Sequence, residues 1–229
     1  MFERAIATAA KAAKAAKADV SIVTTGDLAS TRRLALRHLP SDRLVIRAQV
    51  GADFTERYRG AFEAEFAAGK QQVVVIGSDT PELSEDDLCG AFASLERSSN
   101  RSDAQPSAVI GPSLDGGYYL LGLSRFSVAP FVGVRFGGDD VATTTAAALG
   151  AEGYTLHQLP PLLDLDGAKD ARALLRRLRG ANRKSDAALT GALQRLLSFT
   201  DTELHGAADE LVLFQLLRPS FARGPPASF

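Results

Sequence analysis

The chain has a single cysteine, Cys89, so no intramolecular disulfide can hold it together. Cys89 falls within a segment, 84–95, that reads as a helix, and buried packing suits it better than service as a nucleophile. Nowhere do apolar residues run for the about 18 positions that a membrane-spanning helix needs. The N-terminal Met1-Phe-Glu-Arg4 leads into alanine and lysine without the apolar centre of a secretory signal. These absences predict a cytoplasmic protein with no membrane partner. Charge of either sign is not in excess: the formal net charge is −1 and the pI is near 6.3. No general basic field is available for nucleic acid, which leaves a small molecule as the expected ligand. Two of the few histidines, His157 and His205, have no ligand-like neighbours in sequence and read as structural.

What is present is enough apolar material, 45% of 229 residues, for one α/β domain with a small appendage but not for two full domains. Residues 2–17 read as a helix whose Lys11, Lys14 and Lys17 lie along one solvated side. A strand at 19–25, a helix at 30–38, a short strand at 44–48 and an amphipathic helix at 54–68 follow. Next come a buried strand at 73–76, the helix at 84–95 and a strand at 108–110, with a polar surface loop at 98–107. Such alternation is the sequence form of a parallel sheet with helices on both faces. Beyond residue 180, 185–197 and 202–217 read as two amphipathic helices, and the Gly-Pro-Pro tail as disordered. The resulting division is a domain at 1–180, a helical extension at 181–218 and a tail at 219–229. The apolar run Leu211-Val-Leu-Phe-Gln-Leu-Leu217 needs a partner surface, either its own domain or a second copy in a homodimer.

Three segments carry candidate chemistry. In Val73-Val-Val-Ile-Gly-Ser-Asp-Thr-Pro81, a fully apolar strand stops at Gly77 and Pro81, which sets Asp79 just beyond a strand's carboxyl end, where open α/β sheets bind ligands. Asp79 is either a ligand group or a cap for the next helix. Ser84-Glu-Asp-Asp87 is the better capping signal. Gly111-Pro-Ser-Leu-Asp-Gly-Gly-Tyr-Tyr119 holds a glycine turn followed by a strand that sends Tyr118 and Tyr119 to opposite faces. In Leu162-Leu-Asp-Leu-Asp-Gly-Ala-Lys-Asp170, Asp164 and Asp166 point the same way on an extended chain and repel unless a cation or donor lies between them. Hard ions such as Mg²⁺ or Mn²⁺ suit such oxygens. Asp170 reads as belonging to the first turn of a helix at 168–178.

Gly77-Ser-Asp-Thr-Pro81, the 111–119 segment and Leu163-Asp-Leu-Asp166, in this order and spacing, resemble the DUF2064 family of glycosyltransferase-A-like proteins, also called radical-SAM/selenodomain-associated transferases. Gln49-Val-Gly-Ala-Asp-Phe-Thr-Glu-Arg57 is similar to another segment of that family, and the likeness runs from near residue 1 to about 178. The resemblance implies a GT-A, nucleotide-diphospho-sugar transferase fold with a mixed sheet. It also implies a metal-dependent transferase that takes a nucleotide-sugar or a nucleotide triphosphate together with a small-molecule acceptor. Asp79 matches the aspartate that binds a divalent cation, Mg²⁺ or Mn²⁺, and Asp164 or Asp166 would complete the metal site. Asp115 would be the catalytic group, contacting acceptor or sugar, while Ser78, Thr80, Gly116, Gly117 and Tyr118 would bind substrate.

The chain departs from the family pattern in two places. It lacks the first strand and the Lys-Ala-Pro-x-Pro-Gly-x-x-Lys-Thr-Arg-Leu loop, whose strand would lie between those at 19–25 and 73–76. Buried strand edges left unpaired are costly, so those strands pair directly, another chain fills the gap, or the start lies upstream. Gly137 and Gly138 also replace hydroxyl-bearing residues in Val134-Arg-Phe-Gly-Gly-Asp-Asp-Val141, where Asp139 or Asp140 is still able to cap the next helix. Loss of the loop supports a second reading, a non-catalytic GT-A-like binding or interaction module.

Overall fold

A computed structural model describes residues 1–99, 105–180, 187–197 and 212–219. Part of the expected 98–107 loop, residues 202–211 with His205, and 220–229 lie outside the described residues. The elements run α1 (Phe2–Ala16), β1 (Asp19–Thr24), α2 (Leu28–Ala35), β2 (Leu44–Ala48), α3 (Phe54–Ala67), β3 (Lys70–Ile76) and α4 (Glu85–Ser99). They continue with β4 (Ser107–Pro112), β5 (Tyr118–Leu123), α5 (Val141–Ala151), β6 (Thr155–Gln158), α6 (Ala168–Gly180), α7 (Ala187–Leu196) and β7 (Val212–Pro219).

One seven-stranded sheet has the order β2-β1-β7-β3-β5-β4-β6. Strand β3 is buried on both faces, as its apolar run requires. Val74 and Ile76 join one core with Ile6, Ala9 and Ala12 of α1 and Leu88, Phe92 and Leu95 of α4. Val73 and Val75 join the other with Tyr58 and Phe62 of α3 and Leu149 of α5. The alanine side of α1 makes close approach to α4 possible, while Lys11, Lys14 and Lys17 stay exposed. Cys89 packs at the border of the first core. Helices α6 and α7 share a small third core built on Ala171, Leu174, Leu189 and Leu193.

The helix expected at 202–217 is overturned over its second half. Val212–Pro219 is a strand, antiparallel to β1 from Asp19↔Leu217 to Thr24↔Val212 and antiparallel to β3 from Lys70↔Pro219 to Ile76↔Phe214. Those residues therefore belong to the main sheet, not to a helical extension or to a face offered to a second copy. Local pattern could not make this distinction, because a short continuous apolar run suits a buried strand as well as a buried helix. The open backbone edges of β1 and β3 decide it. None of the three ways of closing the gap anticipated the chain's own C-terminal segment.

Pro219, which has no N–H, sits at the very end of the ladder. Leu217 is 2% exposed and packs in the core beneath α3. Leu217→Ala is expected to lower unfolding stability by about 2–5 kcal/mol in urea denaturation. Amide hydrogen exchange at Val23 and Val74, whose N–H groups face β7, should be among the slowest in the wild-type chain; fast exchange there would contradict a paired β7.

Candidate active site

The site forms at the carboxyl end of β3, where three segments are tied together by backbone hydrogen bonds. Gly77 N donates to Tyr119 O at 3.2 Å, and Leu165 N donates to Asp79 O at 2.9 Å. Leu162 N donates to Pro112 O at 3.1 Å, and Leu114 N to Leu162 O at 2.9 Å. The three motifs that stand far apart in sequence thus converge because the loop after β3 is clamped between β5 and the 162–166 segment. Ser84 Oγ and Asp87 cap α4 reciprocally, with Asp87 N donating to Ser84 Oγ at 3.2 Å and Ser84 N to Asp87 Oδ2 at 3.0 Å. Asp79 is therefore not needed as a cap.

Asp79, Asp115, Asp164 and Asp166 line one cavity of about 620 Å³, with Asp139 at its rim. No lysine or arginine is among the described residues that line it. Burial, reinforced by repulsion from Asp164, Asp166 and Asp115, pushes Asp79 up to about 6. Burial also raises Asp164, with Asp115 and Asp166 adding to the effect and the Thr80 hydroxyl opposing it. Asp166 is raised by burial and by Asp170 and Asp115.

The substrate-binding residues read from the motifs divide. Gly117 and Tyr118 line the cavity beside Gly77. Thr80 is buried and acts on the site indirectly, donating from Oγ1 to Asp164 Oδ1 at 2.5 Å. Ser78 lies against a separate small cleft with Met1 and Arg4, away from the carboxylates. Asp170 accepts from Gly167 N at 3.0 Å and so belongs to the start of α6, as read.

The turn at 115–117 is fixed tightly. Asp115 Oδ1 accepts from Gly117 N at 3.0 Å. Gly116 has φ 97°, and a Cβ on it would stand 1.9 Å from Asp139 O. Gly116 O accepts from Ala142 N at 2.9 Å, satisfying an N–H in the first turn of α5. Asp140 is the N-cap residue but makes no side-chain capping bond, so this carbonyl substitutes for part of the cap expected from Asp139 or Asp140.

Of the aromatic wall, only Tyr118 was read from sequence. Phe54, Tyr58, Tyr118 and Phe136 line the same cavity, with Phe54 and Phe136 ring centroids 4.8 Å apart and those of Tyr58 and Phe136 5.9 Å apart. The i, i+4 spacing of Phe54 and Tyr58 on α3 was the available signal, but such a pair reads equally as core. Tyr119 packs into the first core, its hydroxyl donating to Pro160 O at 3.0 Å. The cavity thus opposes a carboxylate wall to an aromatic one, suited to a ligand with a polar or cation-bridged end and a flat apolar face.

Among the described residues, no group of three or more His, Cys, Asp or Glu side chains is disposed to hold a metal ion. The donor chemistry, hard oxygens whose charges repel, still fits an ion of the Mg²⁺ type. Such ions use one or two carboxylates together with substrate phosphate, not an all-protein cage.

Residues 8–138 match the model of DUF2064, a family of uncharacterised proteins conserved in bacteria. The chain belongs to the DUF2064 family. A crystal structure from Desulfovibrio desulfuricans G20, provisionally described as a nucleotide-diphospho-sugar transferase, is similar at 28% identity and a TM-score of 0.64. The match covers 87% of this chain and 86% of that one. No curated protein matches. This DUF2064 chain therefore has a GT-A-like α/β fold. The family match ends before Asp164 and Asp166, which enter the site through the fold. No helix among the described residues is long and apolar enough to cross a membrane.

Two outcomes follow from this geometry. Because the proton on Asp79 is held more tightly in the folded chain, the stability linked to it is complete below about pH 4 and is lost as pH rises through about 6. Asp79→Asn, uncharged throughout, should match wild type near pH 4 and exceed it by roughly 2–3 kcal/mol near pH 8 in chemical denaturation. Equal stability at both values would remove the raised Asp79. Gly116→Ala, which places a methyl against the Asp139 carbonyl at positive φ, should cost at least about 2 kcal/mol in the same assay.

Proposed function

We propose that this chain is a metal-dependent transferase that uses or forms a nucleotide-activated sugar, with glycosyl transfer preferred to nucleotidyl transfer. The observation that carries the reading is the gathering of Asp79, Asp115, Asp164 and Asp166 around one cavity at the carboxyl end of β3, without a compensating lysine or arginine among the described residues. The similarity to the Desulfovibrio protein supports a nucleotide-sugar as the substrate class.

In this reading Asp79, with Asp164 or Asp166, holds Mg²⁺ or Mn²⁺, which when bound offsets charge developing on a diphosphate leaving group. Thr80 fixes the Asp164 carboxylate through its hydroxyl. Asp115, exposed on its turn and held by Gly117 N, faces the acceptor and takes its proton. Gly77 leaves room for the Asp79 carboxylate, since a Cβ there would lie 2.7 Å from Asp79 Oδ1. The aromatic wall receives a flat part of donor or acceptor.

A second reading, a non-catalytic binding module, is favoured by one feature: no described lysine or arginine lines the cavity to meet phosphate charge. Calorimetric titration with a panel of nucleotides and nucleotide-sugars, with and without Mn²⁺, separates the two. The transferase reading expects Mn²⁺-dependent binding that Asp79→Asn abolishes. It also expects Asp115→Asn to retain binding while lowering turnover by about 100-fold or more. A folded wild-type chain that binds none of the panel in the presence of Mn²⁺ would leave the binding-module reading.

A further inference from the structure

A second cavity, of about 370 Å³, lies against the stripe of α3 next to the one that meets the carboxylate site. The helix itself divides the two: Phe54 and Tyr58 face the first, whereas Arg57, Gly60, Ala61 and Ala64 line the second. Its remaining walls come from Val23 near the end of β1, Arg47 and Ala48 at the end of β2, Val50 and Gly51 after it, and Gln215 of β7. The loop after β2 can lie this close to α3 because residue 51 is glycine; a Cβ there would stand 2.7 Å from Arg57 N.

The charge and the unpaired groups in this cavity point to a ligand. Arg47, Arg57 and Arg59 line it against one carboxylate, Glu56, which is engaged by Ala52 N at 2.8 Å. Arg47 is held by the buried Glu65 at 2.9 Å, but the Arg57 Nε–H is buried without an acceptor among the described residues. Gln215 is fully buried, and its Nε2 donates to Ala61 O at 2.6 Å. That bond fixes the amide so that Oε1 is the other end, an acceptor with no donor among the described residues. Both atoms lie behind the cavity surface and are costly while unpaired, and a ligand toward which the Arg57 and Gln215 side chains turn removes that cost.

We infer that this cavity is a metal-independent binding site for a hydroxylated phosphate compound of hexose-phosphate size, its anionic group met by Arg57 with Arg59 and a hydroxyl donated to Gln215. A carboxylated polyol shares the chemistry. The site is separate from the carboxylate cavity, so its existence does not depend on the transferase reading.

Calorimetry on the full chain, in the absence of divalent metal, tests this with a hexose monophosphate, with inorganic phosphate and with gluconate. Hexose phosphate is expected to bind more tightly than inorganic phosphate. Arg57→Gln and Gln215→Leu should each weaken that binding by about tenfold, whereas Asp79→Asn should leave it unchanged. Gluconate binding with the same dependence on Arg57 and Gln215 would also support the site, naming carboxylate as an accepted anion. If a neutralised Arg57 prevents folding, Arg57→Lys keeps the charge but has no Nε–H and should show the same weakening. Absence of binding at millimolar concentrations, or binding that Asp79→Asn removes and Arg57→Gln spares, would overturn the inference.

Discussion

The pairing of β7 between β1 and β3 is the contact on which the rest of the fold depends. Without it, two buried rows of N–H and C=O groups would face each other across a strand's width in the middle of the sheet. The two halves of the sheet would then share only helices. One half, β2 and β1, carries the loop leading to α3; the other, β3 through β6, carries the carboxylates. Because α3 contributes to both cavities, the relative placement of those halves sets both. The position in sequence of the strand that joins them matters too. A middle strand supplied by the last described element gives the sheet contacts of very long sequence separation, which close late and at high entropic cost.

The carboxylate site illustrates a second constraint, that of holding like charges together. Four aspartates around one cavity would separate if their backbones were free to move. They are held by bonds that do not involve the charges: Leu165 N to Asp79 O, Leu162 N to Pro112 O, and Gly116 O to the first turn of α5. Burial, with the repulsion added to it, is then expressed as raised proton affinity, notably at Asp79, which has three carboxylate neighbours. Stability given up at neutral pH in this way is what a bound cation or a ligand's donor groups would restore.

The legible parts of the sequence were those in which local pattern and tertiary demand agree. Val73 to Ile76, all β-branched and broken by Gly77 and Pro81, favours a doubly buried strand, and the Ser84-to-Asp87 signal marks a helix start that the structure uses as read. Asp79, Asp115, Asp164 and Asp166 were each found from motifs, and the fold brings them to one cavity. What stayed hidden depended on distant partners. The 212–217 run is apolar whether wound or extended, and only the vacancy between β1 and β3 selects the strand. Ser78 stands next to a site residue in sequence, but alternation of the chain after β3 turns it toward α1. Phe136 and Tyr58 meet across 78 positions of sequence, and no spacing rule connects them.

Helix α3 gathers these threads. Its N-terminus is secured twice, by Asp53 accepting from Glu56 N and by Glu56 accepting from Ala52 N, both at 2.8 Å. This fixes the rotation of its first two turns, and with it the direction of every side chain that follows. Positions 54 and 58 then fall on one stripe and 57, 61 and 64 on the next, a consequence of the 3.6-residue turn. The first stripe presents rings to the acidic cavity; the second presents an arginine and small residues to the basic one. Small residues at 60, 61 and 64 are what leave the second cavity its volume, since a larger side chain on that stripe would fill it. Two chemically opposite sites on the two flanks of one rigid, well-capped helix are thus a direct product of which residues occupy two adjacent stripes.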